Sequence, residues 1–301
     1  MRHKTLLSTF IAGAVLAFHV GPAAAKDALV ARGAYLVNGP VACGSCHTPL
    51  GPDFKPIMDK TLAGGFHFDE PAFNTYSANI TPDKETGIGG WTDEEIIHAI
   101  REGAEKDGRI IFPPMPVPTY NNMSDDDAKA IVAYLRTVKP VKNAIPLAKY
   151  NIPQQTMPPA KGLPAPPKSD KVAYGGYIVN ALGHCFECHT TAGPHGAPDF
   201  AGHLGAGGFE IKMGPGMSVM TANITPDKDT GIGSWTDAEV ARAITDGIGA
   251  DGHRLSPPMA YAYYKNMTAE DVDAVVAYLR TIPPISNKVE RTAFQQKAFP
   301  R

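Results

Sequence analysis

The chain has 301 residues, of which 28 are Lys or Arg and 30 are Asp or Glu, giving a formal net charge of −2 at neutral pH. This length is enough for two domains that each bury a core, and the slightly acidic balance argues against nucleic acid as a partner. With 30 glycines and 28 prolines, a large share of the chain is predicted to be loop, which argues against a helix bundle.

The first 25 residues have the pattern of an export signal. Arg2 and Lys4 precede an apolar run over residues 6–20, and three alanines at 23–25 supply a cleavage site before Lys26. A membrane anchor would need about 18 to 20 strongly apolar residues, and this run is shorter. We therefore predict a signal peptide over residues 1–25, a mature chain in the periplasm, and no membrane span in that mature chain.

The rest of the chain is a tandem duplication. Residues 33–38 resemble residues 175–180, and the string Ala-Asn-Ile-Thr-Pro-Asp-Lys occurs at both 78–84 and 222–228. A period this long indicates two duplicated domains rather than a solenoid.

The stretch between the two repeats is rich in proline, including the adjacent pairs at 158–159 and 166–167. Proline lacks the backbone N–H that helices and central strands need, so a stiff, extended connector is predicted. Such a connector would hold the two domains at a limited range of separations. The predicted parts of the mature chain are, in order, a first domain at 26–139, a linker at 140–170, a second domain at 171–285 and a tail at 286–301.

Three helices are predicted in each repeat, which gives a mainly α fold with long loops. The last helix is clearest, because apolar residues recur at helical spacing between positions 272 and 279 after an N-cap signature at Thr268. The runs 48–90 and 190–234 show no sustained period and are predicted to be mostly loop. The three helix pairs are predicted at 27–38 and 171–181, from Thr92 to near Gly103 and from Thr236 to near Gly247, and from Ser124 and from Thr268 onward.

All four cysteines lie in two C-x-x-C-H motifs. The first motif is formed by Cys43, Cys46 and His47, and its repeat is formed by the set Cys185, Cys188 and His189. This pattern is typical of covalent haem attachment, in which two thiols bind the porphyrin and the imidazole ligates the iron. A zinc site, a redox dithiol and a local disulfide are the alternatives. Two complete motifs in duplicated domains favour two covalently bound haem c groups.

A second axial ligand is predicted in each domain. Met115 and Met259 stand at matching positions in Pro-Pro-Met segments just before the last helix. A thioether opposite histidine raises the reduction potential of haem iron and closes it to small molecules. Met123 and Met267 also recur, but they lie at the start of the last helix, where an apolar contact that fixes the helix end explains them.

Three further repeated positions have structural explanations. Asn79 and its repeat Asn223 are predicted to order their loops through side-chain hydrogen bonds to the backbone. Trp91 and Trp235 could donate to a haem propionate or could fill the core. Arg109 and His253 stand at equivalent positions before the methionine segments, where they could face haem propionates, although a solvated side chain is the ordinary interpretation.

Together these motifs resemble the class I dihaem cytochrome c family, over about residues 27–285. In particular, the chain is similar to cytochrome subunits of periplasmic alcohol, sugar and nicotinate-type dehydrogenases. The resemblance implies two tandem class I domains that transfer single electrons and catalyse no reaction themselves. It also implies a dehydrogenase as electron donor and a terminal oxidase or small cytochrome as acceptor.

A dihaem redox enzyme with one open haem, similar to a peroxidase or a thiosulfate dehydrogenase, is the alternative. The thiosulfate dehydrogenases it resembles use a cysteine as an iron ligand, and all four cysteines here are taken by attachment. A peroxidase needs one iron without a firm sixth ligand, whereas both repeats offer Pro-Pro-Met. Carrier function is therefore favoured.

Overall fold

The computed structural model describes residues 21–51, 55–194, 196–214 and 216–299. Most of the predicted signal peptide lies outside these residues. Helices form the larger part of the regular structure. Among the described residues, none of the helices combines the length and the apolar character needed to cross a membrane.

The described part of the first repeat contains five α-helices, a short 3-10 helix (Met58–Lys60) and most of a small sheet. Its elements are α1 (Pro22–Asn38), α2 (Gly44–His47), β1 (His67–Glu70), β2 (Phe73–Tyr76), α3 (Asp93–Glu102), α4 (Val117–Tyr120) and α5 (Asp125–Leu135). A third strand, β3 (Lys149–Tyr150), comes from the predicted linker and pairs antiparallel with β2, with Phe73 opposite Tyr150. The linker is thus partly built into the first domain.

The second repeat has the same order of elements. They are α6 (Lys171–Tyr177), α7 (Cys185–His189), β4 (Glu210–Gly214), β5 (Met217–Met220), α8 (Asp237–Asp246), α9 (Tyr261–Tyr264) and α10 (Ala269–Leu279). Here α6 continues into a wider π-helical turn at Ile178–Leu182. The tail adds α11 (Ala293–Ala298), which packs against β5.

The predicted ends of the middle helices are confirmed. Thr92 accepts a hydrogen bond from the Glu95 N–H while the Glu95 carboxylate accepts from the Thr92 N–H, and α8 begins in the same way at Thr236. α3 ends at Gly103, whose φ of 76° is the left-handed conformation that glycine adopts without strain. These local signals are enough to start and stop both helices.

The two long runs predicted to be mostly loop each contain a β-hairpin. β1 pairs with β2 from His67 opposite Tyr76, and β4 pairs with β5 from Glu210 opposite Met220. The strands are four or five residues long, too short to leave a clear alternating pattern in the sequence.

In each repeat the first and last helices cross at a glycine. A Cβ atom on Gly33 would lie 1.8 Å from the Ala130 carbonyl oxygen in α5, and one on Gly175 would lie 1.9 Å from the Ala274 carbonyl oxygen in α10. Only glycine lets the two backbones approach this closely. The crossing places the start of each C-x-x-C-H motif beside the core.

The two repeats pack directly against each other. Their buried apolar residues form one continuous cluster that includes Leu36 and Ile131 from the first repeat with Leu182 and Val275 from the second. The proline-rich linker is therefore not a spacer between separated domains, which the sequence did not predict. A shared core makes each repeat part of the other's packing.

Candidate functional site

Each C-x-x-C-H motif forms a single helical turn directly after the first helix of its repeat. The residue before the first cysteine turns the chain, since Ala42 has a φ of 52° and His184 a φ of 40°. Positions three apart on a helix lie on one face. The two thiols of each motif therefore point to the same side, with the histidine beside them.

A backbone carbonyl orients each motif histidine. Nδ1 of His47 lies 2.7 Å from the Ala78 carbonyl oxygen, and Nδ1 of His189 lies 2.7 Å from the Ala222 carbonyl oxygen. A carbonyl only accepts hydrogen bonds, so Nδ1 must carry the proton. The lone pair then remains on Nε2, the nitrogen that can ligate a metal.

The histidine rings are held in their neutral form. Desolvation lowers the pKa of His47 and of His189 and outweighs the opposite effect of the hydrogen bond to the carbonyl. Both rings are partly exposed to solvent. A neutral imidazole is the form that binds iron.

The threonine after each histidine links the motif to a neighbouring loop. Thr48 and Thr190 are fully buried, and their hydroxyls accept hydrogen bonds from the Leu62 and Gly205 backbone N–H groups. This ties each motif to the loop that precedes its hairpin. The sixth residue of C-x-x-C-H-T thus has a structural role.

The thiols do not fit a redox dithiol. All four cysteines are free, so no local disulfide is formed. Burial raises the pKa of Cys43, Cys185 and Cys188 to about 12 and raises that of Cys46 as well. Redox-active C-x-x-C pairs instead depend on a lowered thiol pKa.

The zinc alternative also finds no support. Within the described ranges, no three or more His, Cys, Asp or Glu side chains gather as a ligand set for a metal ion would. Each motif instead offers two thiols on one face and an imidazole with a free Nε2. That donor set fits a haem attached through two thioethers and ligated by histidine.

The predicted methionine ligands lie in loops that other segments hold in place. Met115 is partly buried and packs against the core, and Met259 is partly buried. Gln154 donates to the Ile110 and Phe112 carbonyls in the first loop, and Gln295 donates to the Ser256 hydroxyl in the second. Both glutamines come from segments predicted to lie outside the domains.

The alternative methionines differ between the repeats. Met123 is fully buried within the core, and Met267 is partly buried against it. Core packing accounts for both, in agreement with the predicted apolar contact at the helix start. Ligation by Met115 and Met259 remains a prediction.

The asparagines have the structural role predicted for them. Asn79 Oδ1 accepts from the Thr81 N–H at 3.0 Å while its Nδ2 donates to the Val141 carbonyl at 2.8 Å. Asn223 makes the same bonds with Thr225 and Ile285. These bonds hold the loop that carries Ala78 or Ala222, whose carbonyl the sequence could not identify because any residue has one.

The other side chains considered from the sequence make core or surface contacts. Trp91 packs against the core, and Arg136 donates to its backbone carbonyl. Arg109 is half-exposed and forms ion pairs with Asp107 and Glu105. These contacts support the structural interpretation of Trp91 and the surface interpretation of Arg109.

Comparison with known proteins agrees with this geometry. The cytochrome c family pattern matches residues 30–139 and 172–283. The chain is 34% identical over 278 residues to the fructose dehydrogenase cytochrome subunit of Gluconobacter japonicus, covering 87% of this chain and 54% of that protein.

Two further relatives differ greatly in length. A nicotinate dehydrogenase subunit of Pseudomonas putida is 30% identical over 254 residues, which cover 80% of this chain and 20% of the relative. A diheme cytochrome c-type protein of Cereibacter sphaeroides is 28% identical over 255 residues, covering 81% of this chain and 82% of the relative. The chain thus spans only part of the dehydrogenase subunits it resembles.

Proposed function

The chain belongs to the cytochrome c family and carries two covalently bound haem c groups, and from this premise we propose that it accepts single electrons from a dehydrogenase and passes them to a downstream acceptor. The observation that carries the proposal is the duplicated donor set. Each repeat presents two thiols and an imidazole with a free Nε2 on one helical turn. Haem iron supplies the chemistry by cycling between its ferric and ferrous states.

Each repeat supplies the residues that hold one haem. Cys43 and Cys46 attach one haem and Cys185 and Cys188 the other. His47 and Met115 would ligate the first iron, and His189 and Met259 would ligate the second. This is a tandem class I arrangement with three main helices in each domain. It is supported by the repeated helix order and by the matching positions of the two methionine loops.

Ligation of both irons by methionine as well as histidine would favour a carrier over an enzyme. A thioether opposite histidine raises the reduction potential and leaves no open position for substrate. The protein then contributes ligation, burial and hydrogen bonding that set the potentials and performs no reaction on a small molecule. The alternative, a dihaem enzyme with one open haem, requires that one of the two methionines stay away from its iron.

The donor in this proposal is a dehydrogenase, and the acceptor is a terminal oxidase or a small cytochrome. The relatives named as subunits of fructose and nicotinate dehydrogenases support the donor. Purification of the chain with its bound partners identifies the donor, because only the right substrate reduces both haems in the complex. Reduction by no dehydrogenase substrate would count against this partner class.

The mature chain works in the periplasm in this proposal. The charged start, the apolar run and the alanines at 23–25 support export. N-terminal sequencing of the mature protein should begin near Lys26. A mature protein that still begins at Met1 would contradict the proposal.

Carbon monoxide binding tests the carrier function directly. The reduced protein should carry two haems that survive denaturing electrophoresis and should bind little carbon monoxide, because a histidine and a methionine would both ligate each iron. Met259→Ala should open the second haem to carbon monoxide and lower its potential, whereas Met267→Ala, the matched control, should leave the ligation unchanged. Ready binding by the unmodified protein would favour the enzyme alternative.

A further inference from the structure

Two tyrosine–aspartate pairs join the repeats. The Tyr35 hydroxyl donates to Asp271 Oδ2 at 2.5 Å, and the Tyr177 hydroxyl donates to Asp127 Oδ2 at 2.8 Å. Each tyrosine belongs to the first helix of one repeat, and each aspartate lies in the first turn of the last helix of the other. Both pairs therefore cross the boundary between the domains.

The same hydroxyls also accept hydrogen bonds from backbone N–H groups at the start of the last helix of the other repeat. Tyr177 accepts from the Ser124 N–H at 3.1 Å, and Tyr35 accepts from the Thr268 N–H at 3.3 Å. Tyr35 and Tyr177 are repeats of one position, as are Asp127 and Asp271. When residue i contacts j and the copy of j contacts the copy of i, the interface has approximate two-fold symmetry.

The two carboxylates are buried, and a cation compensates each of them. Asp127 is 5% exposed and receives a two-point contact from Arg32 at 2.8 and 2.9 Å. Asp271 is 1% exposed and receives Lys168 at 2.6 Å. Separating either pair would leave a buried carboxylate without a compensating charge, which is strongly unfavourable, so the pairs resist separation.

Each attachment motif also contacts the other domain. Glu187, inside the second motif, accepts a hydrogen bond at 2.8 Å from Thr119, which follows the first methionine loop. In the other direction, the Tyr263 ring lies so close to Gly44 in the first motif that a Cβ there would be 2.4 Å from its hydroxyl. Each motif thus touches the other domain.

Tyrosines fill the space between the motifs. The Tyr120 ring meets His184 edge to face at 6.1 Å between centroids. Burial raises the pKa of Tyr264 well above its ordinary value, and thiols from both motifs, Cys185, Cys188 and Cys46, are near enough to add to it. Both tyrosines are buried in the protein.

We propose that Tyr35 and Tyr177 are positioning residues that hold the two attachment motifs in one mutual orientation for electron exchange between the domains. This rests on the proposed carrier function. One electron leaves the reduced iron and reduces the oxidised one, so that no bond is made or broken and no other reactant is needed. The tyrosines act through the aspartates, to which their hydroxyls donate.

The test compares two double variants of the complete protein with both haems bound. Tyr35→Phe with Tyr177→Phe removes the hydroxyls that cross the interface. Tyr134→Phe with Tyr278→Phe is the matched control, because these hydroxyls bond Asn38 and Asn180 within their own repeats. Both variants lose one hydroxyl per repeat.

Two quantities are measured. Hydrogen exchange of α4 and α9, which lie at the interface, should speed up about tenfold or more in the first variant, as expected when a hydrogen bond to a charged group is lost from a closed state. After one electron per molecule is injected by a photogenerated reductant, its redistribution between the haems should slow, while the potential of each haem stays the same. The control should match the unmodified protein in both.

Three results would overturn the proposal. They are unchanged exchange in the first variant, an unchanged redistribution rate despite faster exchange, and equal effects in the control. If the double variant fails to fold, Tyr35→Phe alone should show a smaller effect in the same direction, and its absence counts against the proposal. Failure of the carrier function would show differently, as carbon monoxide binding by the unmodified protein.

Discussion

The two repeats build the same site but support it with different segments. The bonds nearest the motif are duplicated, since His47 and His189, like Asn79 and Asn223, have equivalent partners at nearly equal distances. The supports further out differ. In the first repeat the linker adds β3 and Gln154, whereas in the second the tail adds α11 and Gln295.

This difference shows which features the site requires and which the chain could vary. Bonds that orient a ligand recur in both copies, whereas each hairpin and methionine loop is held by whatever segment follows that copy. Gln295 reproduces a strand contact with a side chain, because its amide bonds both the Met220 N–H and the Met220 carbonyl. The linker and the tail thus have corresponding tasks.

Filling the helix crossing should have the largest effect, and it should be equal in the two repeats. Gly175→Ala and Gly33→Ala each place a methyl group within 2 Å of a carbonyl oxygen, so we expect a loss of about 3 kcal/mol or more in the free energy of unfolding. Guanidinium denaturation of the haem-bound protein measures it. Gly193→Ala, where the nearest atom would be 3.5 Å away, is the control.

A large effect in only one repeat would break the comparison. The two crossings have nearly equal contact distances, so such a result would mean that the neighbouring helix can shift further in one repeat than in the other.

The glutamines should show a smaller and unequal effect. Gln295 is buried and bonds Met220, Thr292 and Ser256, whereas Gln154 is partly exposed and bonds the Ile110 and Phe112 carbonyls. We expect Gln295→Ala to cost about 2 kcal/mol and Gln154→Ala about 1 kcal/mol. Urea denaturation with carbon monoxide binding at each haem follows both the fold and the methionine loop.

Gln296→Ala is the control within the same helix, because that side chain is exposed. It should change stability by less than about 0.5 kcal/mol. If Gln154→Ala costs more than Gln295→Ala, the tail supports its loop less than the linker does, contrary to the geometry.

Protonation of Asp271 at the interface should produce the smallest change in the free energy of unfolding. Burial raises the pKa of Asp271, but hydrogen bonds from Lys168 and Tyr35 outweigh it, so the folded-state pKa lies below its ordinary value. The stability that this carboxylate contributes is therefore complete above its unfolded pKa of about 3.9 and is lost as the pH falls through the folded value. The cation and the tyrosines Tyr35 and Tyr174 around it do not titrate there.

The measurement is the difference in unfolding free energy between the unmodified protein and Asp271→Asn as a function of pH. That difference should be constant near neutrality and should shrink on acidification. A difference that stays the same down to about one unit below the ordinary carboxyl pKa would show that Asp271 is not the group concerned.

Much of this architecture is encoded locally and could be predicted. The capping residues at Thr92 and Thr236 and the glycine at 103 set helix ends through bonds to their own neighbours. The hairpins were missed, because four-residue strands such as His67–Glu70 carry too little alternation. Likewise, nothing in the sequence marks Ala78 as the acceptor for His47, since the bond uses its backbone.

The interface could not be predicted for a different reason. Tyr35 and Asp271 are 236 positions apart, and each follows an ordinary helical pattern within its own repeat. Their pairing depends on how two finished domains dock, which local propensity does not encode. The sequence does repeat Tyr35 at Tyr177. A repeated tyrosine, however, is as consistent with packing in the core of each repeat as with a contact between the repeats.

The reciprocal pairs also bear on how such a chain could arise. A protein of one repeat, with tyrosine in its first helix and aspartate at the start of its last, would present both halves of each pair to an identical copy, as symmetric dimers do. Joining two copies replaces an association that depends on concentration by one within a single molecule. Each copy can then change independently of the other. The two carboxylates already differ, because Asp127 pairs with Arg32 from its own repeat, whereas Asp271 pairs with Lys168 from the connecting segment.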